Sequence, residues 1–342
     1  MTLKERIESF SELGKTLRNS LAEKNNKNSA LLSELINNQH LKNEWFTPDN
    51  VKMAIGSIAE ELTSDNLTRW CYAYPQLIHQ AKPINVGVVM AGNIPLVGFH
   101  DFISVLISGN NIIAKTSSKD SDLINYIAEL LSRINNGFKK HMKITDKTLS
   151  GFDAVIATGS DNSSRYFEYY FGKHPHIIRK NRNSIAILEG NETDAELNSL
   201  GLDIFSYFGL GCRNVSKIYL PAGYDINRMT RNWDDYTANI YHKKYANNYD
   251  FNKAVYLVNK EKFHDTGYLL MKEEKGLSSP VSVLHYEFYN SQTAVKQQTD
   301  LLKEKIQCIV GQREIPFGKA QSPHLWDYAD GIDTIEFLLK KN

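Results

Sequence analysis

The sequence is poor in cysteine and has no pattern typical of a disulfide or metal framework. Its 342 residues include three cysteines, Cys71, Cys212 and Cys308, which are far apart and form no CxxC or Cys/His spacing. An odd number of isolated cysteines argues against a disulfide scaffold and against structural zinc. We therefore expect no metal site and a reducing, cytoplasmic compartment.

Charge of one sign and long apolar runs are also lacking. The 40 Lys and Arg residues are balanced by 39 Asp and Glu, which leaves a net charge of +1, whereas binding through phosphate neutralisation needs a broad basic face. No apolar run approaches the roughly 18–20 residues that cross a bilayer, and the N-terminus does not resemble a signal peptide. The sequence therefore predicts no nucleic-acid partner and no membrane span.

The pattern of apolar residues divides the chain into four parts. Residues 1–82 carry apolar positions at three- and four-residue steps, which is typical of helices. Residues 83–189 and residues 190–325 each alternate short β-branched strands with helices, a pattern that predicts parallel sheets. Residues 326–342 form a terminal segment. We therefore predict a helical N-terminal region followed by two α/β domains.

The two alternating series predict the individual elements. The first predicts strands at 84–92, 111–115 and 152–158, and helices near 95–107, 120–134 and 161–171. The second predicts strands at 184–188, 215–221, 280–288 and 306–310, and helices over 192–206, 225–237 and 260–272. Because ligands of parallel sheets gather at the carboxyl ends of strands, the residues just after each strand are the candidates for function.

Small and polar residues follow each of the first three strands. Asn93 follows the first strand; its amide could donate to an oxyanion, or it could cap a turn. Lys115 ends the second strand, and with Ser117 and Ser118 it could hold a ribose or phosphate; ordinary helix capping explains the hydroxyls equally well. Gly159-Ser160 follows the third strand, where a glycine lets the backbone approach a ligand closely.

Cys212 stands out among the cysteines because it lies between a predicted helix and a predicted strand, directly after Gly211. The neighbouring Arg213 or Lys217 could favour the thiolate, which is the nucleophilic form. The alternative is a buried cysteine that acts as a small apolar side chain.

Taken in order, these motifs resemble those of the aldehyde dehydrogenase superfamily, and most closely its LuxC-type acyl-CoA reductase branch. The order is Gly-Asn-x-Pro, Lys-x-Ser, Thr-Gly-Ser and then Gly-Cys, and the closing segments 316–323 and 327–331 are similar as well. The resemblance runs from about residue 83 to the end. It implies an aldehyde dehydrogenase-like α/β fold with two Rossmann-type three-layer domains and a helical N-terminal region.

The resemblance also implies an activity, which is the reduction of an acyl thioester, such as a fatty acyl-CoA or acyl-protein, to an aldehyde. The reaction would use NAD(P)H and pass through an acyl-cysteine, and the family hints at a homo-oligomer. The implied site consists of the catalytic residues Cys212 and Asn93 and the cofactor-binding residues Lys115, Ser117, Ser118, Gly159 and Ser160.

Three departures from the superfamily refine this expectation. The stretch 178–184 holds no general-base Glu, which favours transfer of the acyl group from or to a thiol over hydrolysis. Its Arg179, Lys180 and Arg182 could meet coenzyme A phosphates or form a solvated basic loop. Ser118 replaces a Glu of NAD-preferring relatives, which favours NADPH while leaving NADH possible.

The third departure leaves two alternative functions open. No Glu precedes Pro280 where relatives position the nicotinamide ribose, and the second domain is shorter than in typical relatives. The chain could instead be a cysteine-dependent acyltransferase, or a catalytically impaired acyl- or nucleotide-binding protein of the same fold.

Overall fold

The computed structural model describes residues 1–22, 27–79, 82–159 and 161–340. The chain divides into two compact units, one formed by Met1–Asn181 with His324–Asn342 and the other by Arg182–Pro323. No described helix is both long enough and apolar enough to cross a bilayer. Each unit is built around its own mainly parallel sheet, as the alternating pattern predicts.

Four helices open the first unit. They are α1 (Leu3–Ala22), α2 (Lys27–Asn38), α3 (Pro48–Glu61) and α4 (Ser64–Tyr72). Phe10, Leu13 and Leu17 of α1 are fully buried, because their spacing places them on one face of the helix. Thr47 is the N-cap of α3, and its hydroxyl accepts a hydrogen bond from the Asn50 N–H at 3.3 Å.

The sheet of the first unit has five parallel strands. Its elements are β1 (Asn85–Val89), α5 (Phe99–Ile107), β2 (Asn111–Lys115), α6 (Ser121–Ile134), β3 (Met142–Thr145), β4 (Ala154–Thr158), α7 (Asp161–Phe171) and β5 (His176–Arg179). The strand order is β3-β2-β1-β4-β5. The chain therefore builds outward from β1 in both directions, and the switch point of this topology lies between β1 and β4, where open α/β sheets bind ligands.

The second unit has a six-stranded sheet. Its elements are β6 (Asn183–Ile187), α8 (Asp194–Phe205), β7 (Val215–Pro221), α9 (Ile226–Thr230), α10 (Lys243–Val258), β8 (His264–Asp265), β9 (Leu270–Glu273), β10 (Val283–Tyr289), α11 (Gln292–Leu301) and β11 (Ile306–Val310). The order is β11-β6-β7-β10-β9-β8, and β8 pairs with β9 in the antiparallel sense.

The helix predicted over 260–272 is wrong. This segment forms β8 and β9, joined by a turn in which Gly267 has φ +89° and donates its N–H to the Asp265 carboxylate at 2.8 Å. The Thr-Gly turn signal therefore outweighs the helical spacing of the apolar residues. The sequence prediction also omitted α10, β3, β5 and α11.

The two units divide before β6, whereas the sequence places the boundary at 189/190, after it. β6 pairs with β7 and β11 and so belongs to the second sheet. The residues after Pro323 return to the first unit and end in α12 (Thr334–Leu339). There the Tyr328 hydroxyl accepts a hydrogen bond from the Trp70 indole at 2.7 Å, which anchors the 327–331 motif to the N-terminal helices.

Candidate active site

The turn after β1 presents Asn93 at the carboxyl edge of the first sheet. Asn93 is exposed, and the turn continues to Gly98 before α5 begins at Phe99, four residues later than predicted. The helix is delayed because Leu96 adopts φ +55°, a left-handed conformation that a helix cannot contain. The Gly92 carbonyl accepts a hydrogen bond from the Asn43 amide at 3.2 Å, so the N-terminal helical region also supports this turn.

The turn after β2 carries the predicted Lys115, Ser117 and Ser118. The Lys115 ammonium donates to the Asp146 carbonyl at 2.9 Å, while Ser118 is exposed. Ser117 packs against the neighbouring turn so closely that a Cβ added to Gly92 would lie 2.4 Å from its hydroxyl oxygen. The glycine therefore lets the β1 and β2 turns interlock.

The end of β4 supplies Gly159, whereas Ser160 lies outside the described residues. A Cβ at Gly159 would lie 2.8 Å from the Phe167 ring and 2.9 Å from the Ser163 Cβ, so α7 packs tightly against the end of the strand. Glycine has this helix–strand packing role in dinucleotide-binding turns. The close helix–strand packing at Gly159, the Lys115 cation and the β1/β4 switch point together fit a nicotinamide dinucleotide.

Cys212 lies in a loop of the second unit between α8 and β7. All three cysteines are within the described residues, and Cys212 is the exposed one. Cys71 and Cys308 are buried, and burial raises the pKa of the Cys71 thiol to about 12. Exposure therefore separates Cys212 from the other two and leaves its thiol accessible to a substrate.

The backbone reverses sharply just before this cysteine. Tyr207, Phe208 and Gly209 have φ values of +52°, +57° and +79°, and the first two are unusual because their side chains disfavour this region. Such strain persists only where the surroundings impose it, and it is concentrated at functional sites.

Two polar side chains hold the cysteine loop. Ser184 at the start of β6 donates its hydroxyl proton to the Cys212 carbonyl at 2.9 Å. The buried Asn214 amide donates to the Ser206 carbonyl at 2.6 Å, and its oxygen accepts the Gly211 N–H at 2.9 Å. The Cys212 backbone is thereby fixed from both sides.

Asp203 connects the 316–323 motif to the same region. Its buried carboxylate accepts the N–H of Gly318 at 2.6 Å and that of Ala320 at 2.9 Å, and Arg213 donates to the Ala320 carbonyl at 3.2 Å. Burial raises the pKa of the Asp203 carboxyl to about 6, although both N–H groups act in the opposite direction. The 316–323 motif is therefore held by Asp203 and in turn contacts Arg213, the residue that follows Cys212.

Sequence reasoning missed Asn214, Ser184 and Asp203. It also missed Asp120, whose carboxylate accepts the Leu96 N–H at 2.8 Å. Each acts through a backbone group that it holds, and no local spacing marks such a contact. The signal available for Asn214 is its place directly after Cys212-Arg213, and for Asp120 its place in the β2 turn. Ser184 and Asp203 carry no comparable signal because their partners are distant in sequence.

Arg179, the last residue of β5, is not available to bind a phosphate. This side chain is buried, forms an ion pair with Asp101 and donates to the Thr334 hydroxyl at 3.0 Å. Lys180 remains exposed and lies 3.6 Å from the Glu168 carboxylate. Burial of Arg179 therefore excludes the part of the coenzyme A hypothesis that used it. Among the described residues, no group of three or more His, Cys, Asp and Glu could hold a metal ion.

The strand-end turns with Asn93, Lys115 and Gly159 thus meet at the carboxyl edge of one sheet, because β2 and β4 both pair with β1. Cys212 belongs to the other unit, where its own loop is fixed by the contacts described above.

The chain is similar to known reductases in sequence. The family described as acyl-CoA reductase (LuxC) matches residues 3–286. A long-chain acyl-protein thioester reductase of Aliivibrio fischeri is 26% identical over 218 residues, which cover 57% of this chain and 44% of that protein. A second such enzyme, from Photobacterium leiognathi, is 25% identical over 162 residues, 43% of this chain and 33% of that one. The matches therefore span less than half the length of these relatives.

The chain is also similar to solved aldehyde dehydrogenase structures. Aldehyde dehydrogenase 21 of Physcomitrella patens has a TM-score of 0.65 at 12% identity, over all of this chain and 84% of that one. An NAD-dependent aldehyde dehydrogenase of Sinorhizobium meliloti has a TM-score of 0.61 at 13% identity, over 91% of this chain and 70% of that one. At these identities the likeness concerns the fold, and it confirms the predicted fold class. Since the family match covers most of its residues, the chain belongs to the acyl-CoA reductase (LuxC) family.

Proposed function

We propose that this chain reduces an acyl thioester to an aldehyde, with Cys212 as the nucleophile and NADPH as the reductant. The observation that carries the proposal is the exposed Cys212 on a loop fixed by Ser184 and Asn214, while the other two cysteines are buried. Membership of the acyl-CoA reductase (LuxC) family supports the same reaction.

The cysteine performs the acyl transfer. The Cys212 thiolate attacks the acyl carbonyl, the bond from the carbonyl carbon to the leaving sulfur breaks, and the carrier thiol departs with a proton. An acyl-cysteine remains on Cys212. In the tetrahedral state the negative oxygen accepts hydrogen bonds from the Asn93 amide and the Cys212 N–H, as the family resemblance implies. A donor of this kind contributes about 3–4 kcal/mol to lowering the barrier.

The first unit holds the cofactor. Lys115 supplies a positive charge, Ser117 and Ser118 supply hydroxyls, and Gly159 lets the backbone approach the pyrophosphate; Ser160 completes the predicted set. When bound, NADPH would supply a hydride to the acyl carbon. The carbon–sulfur bond to Cys212 then breaks, which releases the aldehyde and returns Cys212 to the thiolate. Ser118 has no carboxylate to repel a 2′-phosphate, so NADPH is preferred and NADH is also accepted.

The substrate is an acyl group on coenzyme A or on a protein thiol. The names of the two relatives favour a long acyl chain on a protein, and the family description favours coenzyme A. Both carriers present the same thioester to Cys212. The homo-oligomer, the cytoplasmic compartment and the four-part domain division stay predictions.

The direct test follows NADPH absorbance and intact protein mass during incubation with acyl-CoAs of several lengths. We expect thioester-dependent NADPH oxidation in the wild type and none in Cys212→Ala, which should still bind NADPH. Cys71→Ala is the matched control and should keep its activity, since Cys71 is buried among the N-terminal helices of the first unit. Turnover by Cys212→Ala would contradict the mechanism.

The same experiment separates the alternatives. Acylated protein without NADPH consumption would indicate the acyltransferase, and neither acylation nor consumption would indicate the impaired binding protein. Asn93→Ala should lower kcat about 10²- to 10³-fold with little change in KM. An unchanged kcat would show that Asn93 only caps the turn.

A further inference from the structure

Asp120 stands at the N-cap of α6, yet its side chain makes no capping hydrogen bond to that helix. Its Oδ2 instead accepts the N–H of Leu96 at 2.8 Å, across 24 residues of sequence. Leu96 lies three residues after Asn93 in the turn that follows β1. Asp120 therefore occupies the N-cap of α6, where aspartate is a favoured capping residue, but its carboxylate binds the turn after β1 instead.

This arrangement is costly at both ends of the bond. Asp120 is only 6% exposed, and its second oxygen is buried with no hydrogen-bond partner among the described residues. Burial holds the pKa of this carboxyl well above its ordinary value. Leu96 keeps a left-handed φ of +55°. A buried, half-satisfied carboxyl and a strained backbone persist together only where the surrounding structure over-determines them, as at functional sites.

A second contact ties the same two turns together. Ser117 packs against Gly92 on the other side of Asn93, where no side chain would fit. Asn93 is thus flanked by Gly92, which is held by Ser117, and by Leu96, which is held by Asp120. Asn93, which is exposed, therefore lies between these two points in a turn whose backbone is fixed on both sides.

We propose that Asp120 is a positioning residue that fixes the Asn93 turn in the geometry needed for oxyanion stabilisation; this inference rests on the proposed function. Asp120 is buried and acts through the Leu96 N–H. Misplacement of a catalytic group by about 1 Å can cost on the order of 10²-fold in rate, so loss of this bond reduces kcat more than binding.

The main test compares Asp120→Ser with Asp120→Asn. Serine keeps a helix N-cap residue, but its hydroxyl is one bond too short to reach Leu96; asparagine keeps an acceptor oxygen at the original distance. The matched control is Asp153→Ser. Asp153 accepts the Asn85 N–H at 2.8 Å, which is the same kind of bond at the opposite end of β1.

We expect Asp120→Ser to lower kcat about 10- to 100-fold with a KM for NADPH within threefold of wild type. Asp120→Asn should recover kcat to within about threefold, and Asp153→Ser should match the wild type. Amide hydrogen exchange should speed up at residues 92–98 in Asp120→Ser and not in Asp120→Asn. Because this readout needs no turnover, it reports on the turn even in a poorly active variant.

A wild-type kcat in Asp120→Ser would overturn the positioning role, as would an equal loss of kcat in Asp153→Ser. Unchanged exchange at residues 92–98 would overturn it as well. A wild-type protein that oxidises no NADPH with any acyl thioester would instead overturn the proposed function, whatever the exchange result.

Discussion

Asp203 should make the stability of the chain fall as the pH rises from 4 to 8. Its carboxyl is fully buried and accepts two N–H groups from the 316–323 motif, those of Gly318 and Ala320. Burial disfavours the charged form, the two N–H groups favour it, and burial is the larger effect, which raises the pKa from 3.8 to about 6. Asp203→Asn removes the titration and keeps one acceptor oxygen.

The size of the effect follows from the pKa. A group whose pKa is higher in the folded state binds its proton more tightly there, so it stabilises the fold most below pH 3.8 and loses that contribution as the pH rises through about 6. The full difference is about 3 kcal/mol, because each pKa unit corresponds to about 1.4 kcal/mol. Between pH 4 and pH 8 the linkage relation gives a loss of about 2 kcal/mol.

Urea denaturation of the full chain, followed by tryptophan fluorescence between pH 4 and pH 8, measures this difference. The free energy of unfolding of wild type minus that of Asp203→Asn should fall by about 2 kcal/mol over this range. Any constant offset from the asparagine cancels, because asparagine does not titrate. A difference that is flat, or that increases with pH, would show that the two N–H bonds outweigh burial and would refute the reasoning.

Two further substitutions test packing and charge. Glu287→Ala should lower the free energy of unfolding by about 3–5 kcal/mol, because it leaves the fully buried Lys217 ammonium without the carboxylate that lies 2.5 Å away. In urea denaturation, the double variant Glu287→Ala/Lys217→Met should regain most of the free energy of unfolding lost in Glu287→Ala. If the effects of the two substitutions simply added, the argument would be contradicted. Gly159→Ala should weaken NADPH binding about tenfold in a titration, since the new Cβ would lie 2.8 Å from the Phe167 ring. Gly56→Ala is the control, because a Cβ there meets nothing within 4 Å. Equal NADPH affinity in the two variants would contradict a role of the Gly159 turn in cofactor binding.

The strand ends of the first unit could be predicted because their signals are local. A short buried β-branched strand followed by a polar turn places Asn93 and Lys115 at the carboxyl edge, and the structure has both there. Cys212 likewise lies between a helix and a strand, as the pattern predicts. The helix predicted over 260–272 failed because a local turn, set by Gly267, competes with helical spacing.

The contacts that fix these residues could not be predicted, because their partners are far apart in the chain. Asp120 holds Leu96 across 24 residues, and Asp203 holds Gly318 across 115. Contacts over such separations do not follow the periodicity of a helix or a strand. No pattern in the sequence therefore predicts them.

By itself, the sequence determined the alternation of strands and helices, the order of the motifs and hence the family, because each depends on short-range periodicity and residue type. Only the tertiary structure decided which cysteine is exposed and that Arg179 forms an ion pair with Asp101. It also decided that Asp120 accepts a hydrogen bond from Leu96 in the Asn93 turn instead of capping its own helix. Burial and hydrogen bonding between distant segments set these outcomes, and they exist only once the chain has folded.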